Sequence, residues 1–193
     1  MIVMTYADVL RPSVKRYALV YDITCIVGGS LFVAMSAQFA IPLPFSPVPI
    51  TGQTLAVLLV GVLLGSRRGT MSLLAYLAEG VVGVPVFAGG AAGFPSLYGP
   101  TGGYLVGFVV AAGITGLLAE RGWDRRVKTT FPAMLLGNVV IYVFGLPWLA
   151  LFVGSGKMLA WGLYPFIVGD LLKLAVATLL LPSGWKLLRM HEL

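Results

Sequence analysis

The stretch FPAMLLGNVVIYVFGLPWLALFV, residues 131–153, runs for 23 residues without a charged side chain. A helix needs about 20 predominantly apolar residues to cross the hydrocarbon layer of a bilayer, so this stretch predicts a membrane-spanning helix. The rest of the chain is similar, since 59% of its 193 residues are apolar and only 10% are charged. A soluble domain carries about 25% charged residues. The composition therefore excludes an ordinary soluble protein, and its hydrophobicity excludes disorder.

Five other apolar runs predict five more spans, at residues 23–40, 53–65, 69–82, 102–119 and 159–181. The first run follows basic residues, as a signal peptide does, but the stretch before it is long and of mixed charge, so we expect a retained helix. The sequence thus predicts an all-α membrane protein, a bundle of six transmembrane helices over about residues 23–181. One integral membrane domain then covers residues 1–193, with an N-terminal segment at 1–22 and a C-terminal tail at 182–193.

Basic residues are concentrated on one side of this six-span arrangement. The side that holds both termini and the loops after spans two and four carries eleven of them: Arg11, Lys15, Arg16, Arg67, Arg68, Arg121, Arg125, Arg126, Lys128, Lys186 and Arg189. The opposite side carries Lys157, and Lys173 lies inside the sixth span. Since cytoplasmic loops are rich in Lys and Arg, we expect both termini in the cytoplasm. The net charge of +6 then faces anionic lipid and needs no nucleic-acid partner.

Several kinds of chemistry are excluded by the residues that the sequence lacks. The one cysteine, Cys25, and the one histidine, His191, permit neither a disulfide framework nor a Cys-based or His-cluster metal site. The sequence has no GxxxxGK[ST] phosphate-binding loop, so the chain cannot be its own ATPase. We therefore expect no metal, no cofactor and no catalytic activity.

Two loops on the side opposite the termini are long and uncharged. Residues 41–51 contain four prolines, which forbid a continuous helix and favour extended backbone. Residues 83–101 are rich in glycine and aromatic side chains. Irregular backbone is tolerated at membrane depth only where it is buried in protein or lines a cavity. We expect both loops to fold over the outer mouth of the bundle, the alternative being that they are tight connectors.

Three ionisable residues lie in or near the spans: Glu79, Asp170 and Lys173. Such residues are costly in a membrane and by default mark a functional site. Asp170 and Lys173 are three positions apart and share one helix face, which favours a ligand site. The alternatives are an internal ion pair that only fixes packing, or a lysine that reaches for the interface. Glu79 is either a group at the pocket rim or an interfacial residue.

Ser30 and Ala34 form a pair of small residues in the first span. Such pairs allow another helix to approach closely. This pair indicates either packing inside the bundle or a face that docks a partner.

Three motifs together resemble the BioY family of biotin transporters. They are PLPFSPVPITGQT at residues 42–54, GVPVFAGG at 83–90 followed by GPTGGY at 99–104, and GDLLK at 169–173. The resemblance covers residues from about 30 to 180, with the motifs in the expected order and spacing. It implies the substrate-binding S component of an energy-coupling-factor (ECF) transporter, with six helices and an outward-facing, high-affinity biotin pocket, in a prokaryotic cell membrane. The implied partners are biotin, a transmembrane coupling subunit and two cytoplasmic ATPases.

The resemblance also assigns roles to individual residues. Asp170 and Lys173 would contact biotin, while Phe87, Tyr98 or Tyr104 would pack on its bicyclic ring. Further implied substrate-binding positions are Gln53, Gly89 and Gly90, and Ser30 and Ala34 are the nearest match to the partner-docking motif. An S component for another vitamin and a stand-alone secondary carrier or channel stay open as alternatives. A membrane-embedded enzyme is disfavoured, because no convergent His, Cys or carboxylate set exists.

Overall fold

The computed structural model describes residues 4–190. Two 3-10 turns lie at Ala88–Gly90 and Trp123–Arg125. The α-helices in this range are α1 (Tyr6–Val9), α2 (Lys15–Gln38), α3 (Gln53–Val81), α4 (Phe94–Tyr98), α5 (Gly102–Ala119), α6 (Val127–Val153), α7 (Ser155–Gly162) and α8 (Tyr164–Met190). The strands are β1 (Ala40–Leu43) and β2 (Ser46–Thr51). The predicted all-α class is therefore confirmed, with one small hairpin added.

Five helical runs of the described residues are long and apolar enough to cross a membrane. One of them, α3, folds back on itself at Gly65, whose φ of 84° is not helical. Gln53 and Tyr76, which would lie about 35 Å apart in a straight helix, are joined by a 2.7 Å hydrogen bond. The two halves of α3 thus correspond to the second and third predicted spans.

The turn inside α3 is held from α5. The carboxylate of Glu120, at the end of α5, accepts hydrogen bonds from the Ser66 amide and hydroxyl, both at 2.7 Å. A carboxylate at this position satisfies a free amide at the start of the second half of the helix and complements its dipole. The bend is therefore a specific structure and not a distortion of one long helix.

Two helix boundaries differ from the predicted ones. Helix α2 begins at Lys15 rather than at residue 23, because the amphipathic residues before the apolar run continue the same helix. The sixth predicted span is divided, since Leu163 leaves helical geometry between α7 and α8. Pro165 then lies in the first turn of α8, where a missing amide hydrogen costs no helical hydrogen bond.

The proline-rich loop after α2 forms an antiparallel hairpin, with Ala40 opposite Thr51. The expected extended backbone is thus observed, and the strands lie across one end of the bundle. The Ser46 hydroxyl donates a 2.7 Å hydrogen bond to the carbonyl oxygen of Trp161 in α7. This contact ties the hairpin to a distant part of the chain.

Helices α3 and α5 pack closely where side chains are small. A Cβ atom added at Gly61 would lie 2.5 Å from the Ala112 carbonyl oxygen, and one at Gly116 would lie 2.3 Å from the Ser66 amide nitrogen. Only glycine permits these approaches. Large apolar side chains such as Leu151 and Leu172 are instead exposed on the outside of the bundle, as expected of residues that face lipid.

Both ends of the described chain meet at the end of the bundle away from the hairpin. The Tyr6 hydroxyl in α1 donates a hydrogen bond to the Leu181 carbonyl oxygen in α8. Arg68, beside the α3 turn, pairs with Asp8 at 2.9 Å and with Asp22 at 2.7 Å. Because the described chain starts and finishes at the same end of the bundle, it passes along the bundle an even number of times.

Candidate functional site

A cavity of about 620 Å³ lies under the β-hairpin. Its walls come from the hairpin, from the segment that follows α3, and from helices α3, α5, α6 and α8. Its lining is mostly apolar, with a small polar group at α8. Ligand pockets for small organic molecules have this character, with volumes of about 300–1,000 Å³ and a few placed polar groups.

Asp170 is the centre of the polar group and is 3% exposed. Its Oδ1 accepts hydrogen bonds from Thr54 Oγ1 and Lys173 Nζ, both at 3.2 Å. Its Oδ2 accepts from Asn138 Nδ2 at 3.2 Å and from the Tyr142 hydroxyl. A carboxylate offers about four lone-pair sites, so these four donors satisfy it. Asp170 therefore both carries negative charge into the cavity and holds its neighbours in place.

Lys173 pairs with Asp170 across one turn of α8. Its Nζ also donates to the Thr51 carbonyl oxygen and to Thr54 Oγ1, each at 2.9 Å. Because Thr51 ends β2 and Thr54 lies in the first turn of α3, this ammonium group joins the hairpin to two helices. Lys173 thus points inward, and the snorkelling alternative is excluded by its contacts.

Asn138 and Tyr142 were missed in the sequence reading. They lie four positions apart on α6, so they share the face that meets Asp170. The signal was present, because an asparagine and a tyrosine at this spacing are unusual in a charge-free membrane span. Thr54 was also missed as a polar contact, although it belongs to the first motif.

Aromatic side chains form the apolar part of the cavity. Tyr104 reaches across to α7, where its hydroxyl donates to the Gly162 carbonyl oxygen at 2.9 Å. Phe87 packs edge-on against Tyr76, with ring centroids 5.4 Å apart. Since Phe87 and Tyr104 are buried and held by these contacts, they are fixed surfaces for a flat apolar ligand.

The structure brings together most of the residues proposed from the sequence. Six of them line the cavity: Gln53, Phe87, Gly89, Tyr104, Asp170 and Lys173. Gly90 and Tyr98 are not among its lining residues, and Tyr98 is 63% exposed. The reason is local, since Tyr98 stacks on Phe94 within the short helix α4 and both rings point outward.

Ser30 and Ala34 are buried inside the chain. The Ser30 hydroxyl donates a 2.8 Å hydrogen bond to Glu79 in α3. This pair of small residues therefore serves packing between α2 and α3, the internal alternative, and is not exposed to a partner in this conformation. Glu79 lies in that helix contact and does not line the cavity.

The make-up of the polar group at Asp170 suits an organic ligand. Across residues 4–190, no three His, Cys, Asp or Glu side chains come together as a metal site would require. The polar group at Asp170 contains one carboxylate, one ammonium and neutral donors, an arrangement suited to an organic ligand with donors and acceptors of its own.

Comparison with known proteins places the chain in a family. The sequence profile of the BioY family matches residues 9–190. Probable biotin transporter BioY of Pyrococcus horikoshii is 41% identical over 152 residues, which are 78% of this chain and 90% of that protein. Biotin transporter BioY of Rhizobium etli is 41% identical over 160 residues, or 79% and 86% of the two chains.

A solved structure is similar over nearly the whole fold. The crystal structure of the S-component for biotin from an ECF-type ABC transporter superposes with a TM-score of 0.77 and 26% sequence identity. The match covers 90% of this chain and 95% of that one. The family resemblance suggested by the three motifs is thereby confirmed, and this chain belongs to the BioY family.

Proposed function

We propose that this chain is the biotin-binding S component of an ATP-driven vitamin uptake transporter. The observation that carries the proposal is the buried Asp170–Lys173 pair at the wall of an apolar cavity of ligand size. The names of the family relatives and of the similar solved structure agree with it. The proposal assigns no catalytic role to the chain, because ATP hydrolysis belongs to partner subunits.

The chemistry of biotin matches the two parts of the cavity. The ureido ring presents two N–H donors and one strong acceptor, and the thioether ring beside it is apolar. Asp170 is an acceptor for the N–H groups, while Tyr142 and Lys173, which also line the cavity, are donors for the ureido oxygen. The apolar face of the bicycle packs on Tyr104 and Phe87.

Binding at Asp170 requires an exchange of hydrogen bonds. The carboxylate already accepts four, so a ureido N–H takes the place of one protein donor. The Tyr142 and Thr54 hydroxyls can rotate and donate elsewhere, including to the ligand. A vitamin without matching N–H groups leaves this cluster unsatisfied, and such a mismatch costs far more than a missing apolar contact.

The same proposal includes partners and orientation. An S component works with a transmembrane coupling subunit and two cytoplasmic ATPases in a prokaryotic plasma membrane. Both termini then lie in the cytoplasm, since the end of the bundle that holds them carries most of the Lys and Arg residues. The cavity, at the opposite end, faces outward and captures the substrate.

The test is equilibrium binding of the purified chain to biotin, thiamin and riboflavin by isothermal titration calorimetry. We expect tight binding of biotin alone. Lys173→Met should weaken it strongly, whereas Lys157→Met, which removes an exposed lysine outside the cavity, should not. Tight binding of another vitamin in place of biotin would show that the other vitamin is the ligand. ATP-independent uptake by the chain alone in liposomes would favour a secondary carrier instead.

A further inference from the structure

A second cleft lies at the end of the bundle away from the candidate ligand cavity. It has a volume of about 490 Å³ and joins the end of α5 to the start of α6. Its lining residues are Arg121, Gly122, Trp123, Arg125, Arg126 and Thr129. Helix α5, about 27 Å long, separates this cleft from the cavity that Thr101 and Tyr104 line. The cleft is therefore a separate site.

Among the described residues, the cleft is lined by arginines and by no acidic side chain. Three of its lining side chains are arginines, none is acidic, and none of the three forms a salt bridge within residues 4–190. Two carboxylates next to the cleft in sequence do not line it: Glu120 accepts hydrogen bonds from Ser66, and the buried Asp124, which interacts with Arg125, accepts one from Trp185. A group of arginines without salt-bridge partners attracts an anion.

Arg125 is fixed at the wall of the cleft by its own contacts. Its guanidinium lies over the Trp185 ring, 4.5 Å from the centroid, and its Nη2 donates to the Met4 carbonyl oxygen at 3.2 Å. These contacts hold the Arg125 side chain in place where it lines the cleft.

The first turn of α6 supplies further donors. Helix α6 has 27 residues and begins at Val127, directly after Arg126. The amide groups at the start of a helix have no partner within the helix and carry partial positive charge. Phosphate groups bind at such positions when basic side chains converge there.

The surroundings of the cleft suit the membrane surface. Trp123 is 37% exposed and Val127 is 48% exposed, so an aromatic ring and an apolar side chain border the arginines. Tryptophan is enriched where hydrocarbon meets headgroups, and basic pockets at helix ends on the cytoplasmic side hold anionic headgroups.

We propose that this cleft binds the phosphate group of an anionic lipid headgroup such as phosphatidylglycerol. The bound headgroup would join the ends of α5 and α6 by bridging Arg121, Arg125 and Arg126. A soluble phosphate shares the same chemistry, so the experiment includes both sources. The inference does not depend on the identity of the vitamin.

The test uses the delipidated full chain in detergent and native mass spectrometry. Phosphatidylglycerol, phosphatidylcholine and inorganic phosphate are added separately, to the unaltered chain and to two double variants. Arg121→Gln with Arg126→Gln removes two exposed arginines from the cleft. Arg16→Gln with Arg67→Gln removes two exposed arginines that lie outside it. Size-exclusion chromatography and circular dichroism verify that both variants fold.

We expect phosphatidylglycerol adducts on the unaltered chain, little phosphatidylcholine, and binding weaker by about 30-fold in the cleft variant. The other double variant should stay within about threefold, since diffuse attraction is screened. If inorganic phosphate binds to the unaltered chain and not to the cleft variant, the phosphate site is supported and its ligand is soluble phosphate. Equal losses in the two double variants, or equal binding of both lipids, would overturn the proposal.

Discussion

Replacing Asp170 by asparagine is the substitution that most sharply examines the polar cluster. The shape of the side chain is kept, but one acceptor oxygen becomes an NH₂ donor and the negative charge is lost. In the structure the carboxylate accepts from Thr54 and Lys173 on one oxygen and from Asn138 and Tyr142 on the other. Whichever way the amide turns, two donors face an NH₂ group and lose their acceptor.

The size of the effect follows from these contacts. Hydrogen bonds to a charged group contribute about 1.5–3 kcal/mol each, and breaking a buried ion pair from one side costs about 3–5 kcal/mol. The side chain of Lys173 is 22% exposed, which reduces the penalty. We therefore expect Asp170→Asn to lower the free energy of unfolding by about 3 kcal/mol. For a chain of this size that corresponds to a melting temperature lower by roughly 6–12 °C. Biotin affinity should fall by about 100-fold.

A thermodynamic cycle with Lys173→Met separates the pair from its surroundings. Each single variant leaves one buried charge without its partner, whereas the double variant removes both. We expect the loss in free energy of unfolding of the double variant to be about 1–3 kcal/mol smaller than the sum of the losses in the two single variants. The measurements are thermal unfolding in detergent and calorimetric titration with biotin. Additive losses, or near-normal affinity in both single variants, would refute this account of the cluster.

Two further substitutions test other parts of the structure. Gly145→Ala places a Cβ 2.4 Å from Tyr104 Cδ1, so the ring must move by about 1 Å at a cost of about 1–3 kcal/mol. Calorimetric titration should then show biotin binding weaker by about tenfold. The control variant Gly169→Ala, whose Cβ meets nothing within 4 Å, should bind biotin normally. Equal binding by the two variants would contradict the role given to the Tyr104 ring. Burial raises the pKa of Asp124 above its usual value of 3.8, so its contribution to stability is present below pH 3.8 and is lost as pH rises through the raised pKa. The Asp124→Asn side chain does not ionise, so between acidic and neutral pH the melting temperature of this variant should fall less than that of the unaltered chain. The same pH dependence of the melting temperature in both proteins would contradict this.

The sequence predicted the spans because apolar length and charge placement depend on the chain alone. The break between the second and third spans was visible as the Gly65–Gly69 region with its two arginines, and the structure turns there. The division of the sixth run at Leu163 was missed, although Gly162 and Pro165 flank it and glycine at a helix end and proline in a first turn both indicate a helix boundary. Helix α2 began earlier than predicted, since helices extend past the apolar run that marks the membrane.

The candidate site was predicted in part. Asp170 and Lys173 stood out because charge is scarce, and their spacing placed them on one face. Asn138 and Tyr142 belong to a different helix, and only the fold shows that α6 and α8 bring them to the same carboxylate. Small residues were harder to interpret: the Ser30 hydroxyl meets Glu79 inside the bundle, and composition alone does not separate internal packing from docking.

The central claim is that the cavity between the hairpin and α8 binds biotin through its polar cluster. A crystal structure of the purified chain grown with biotin tests this most directly. We predict the bicycle against Tyr104, with ureido nitrogen atoms at hydrogen-bond distance, about 3 Å, from the Asp170 carboxylate. Biotin bound elsewhere on the chain, or in this cavity with its ureido ring away from Asp170, would contradict the account.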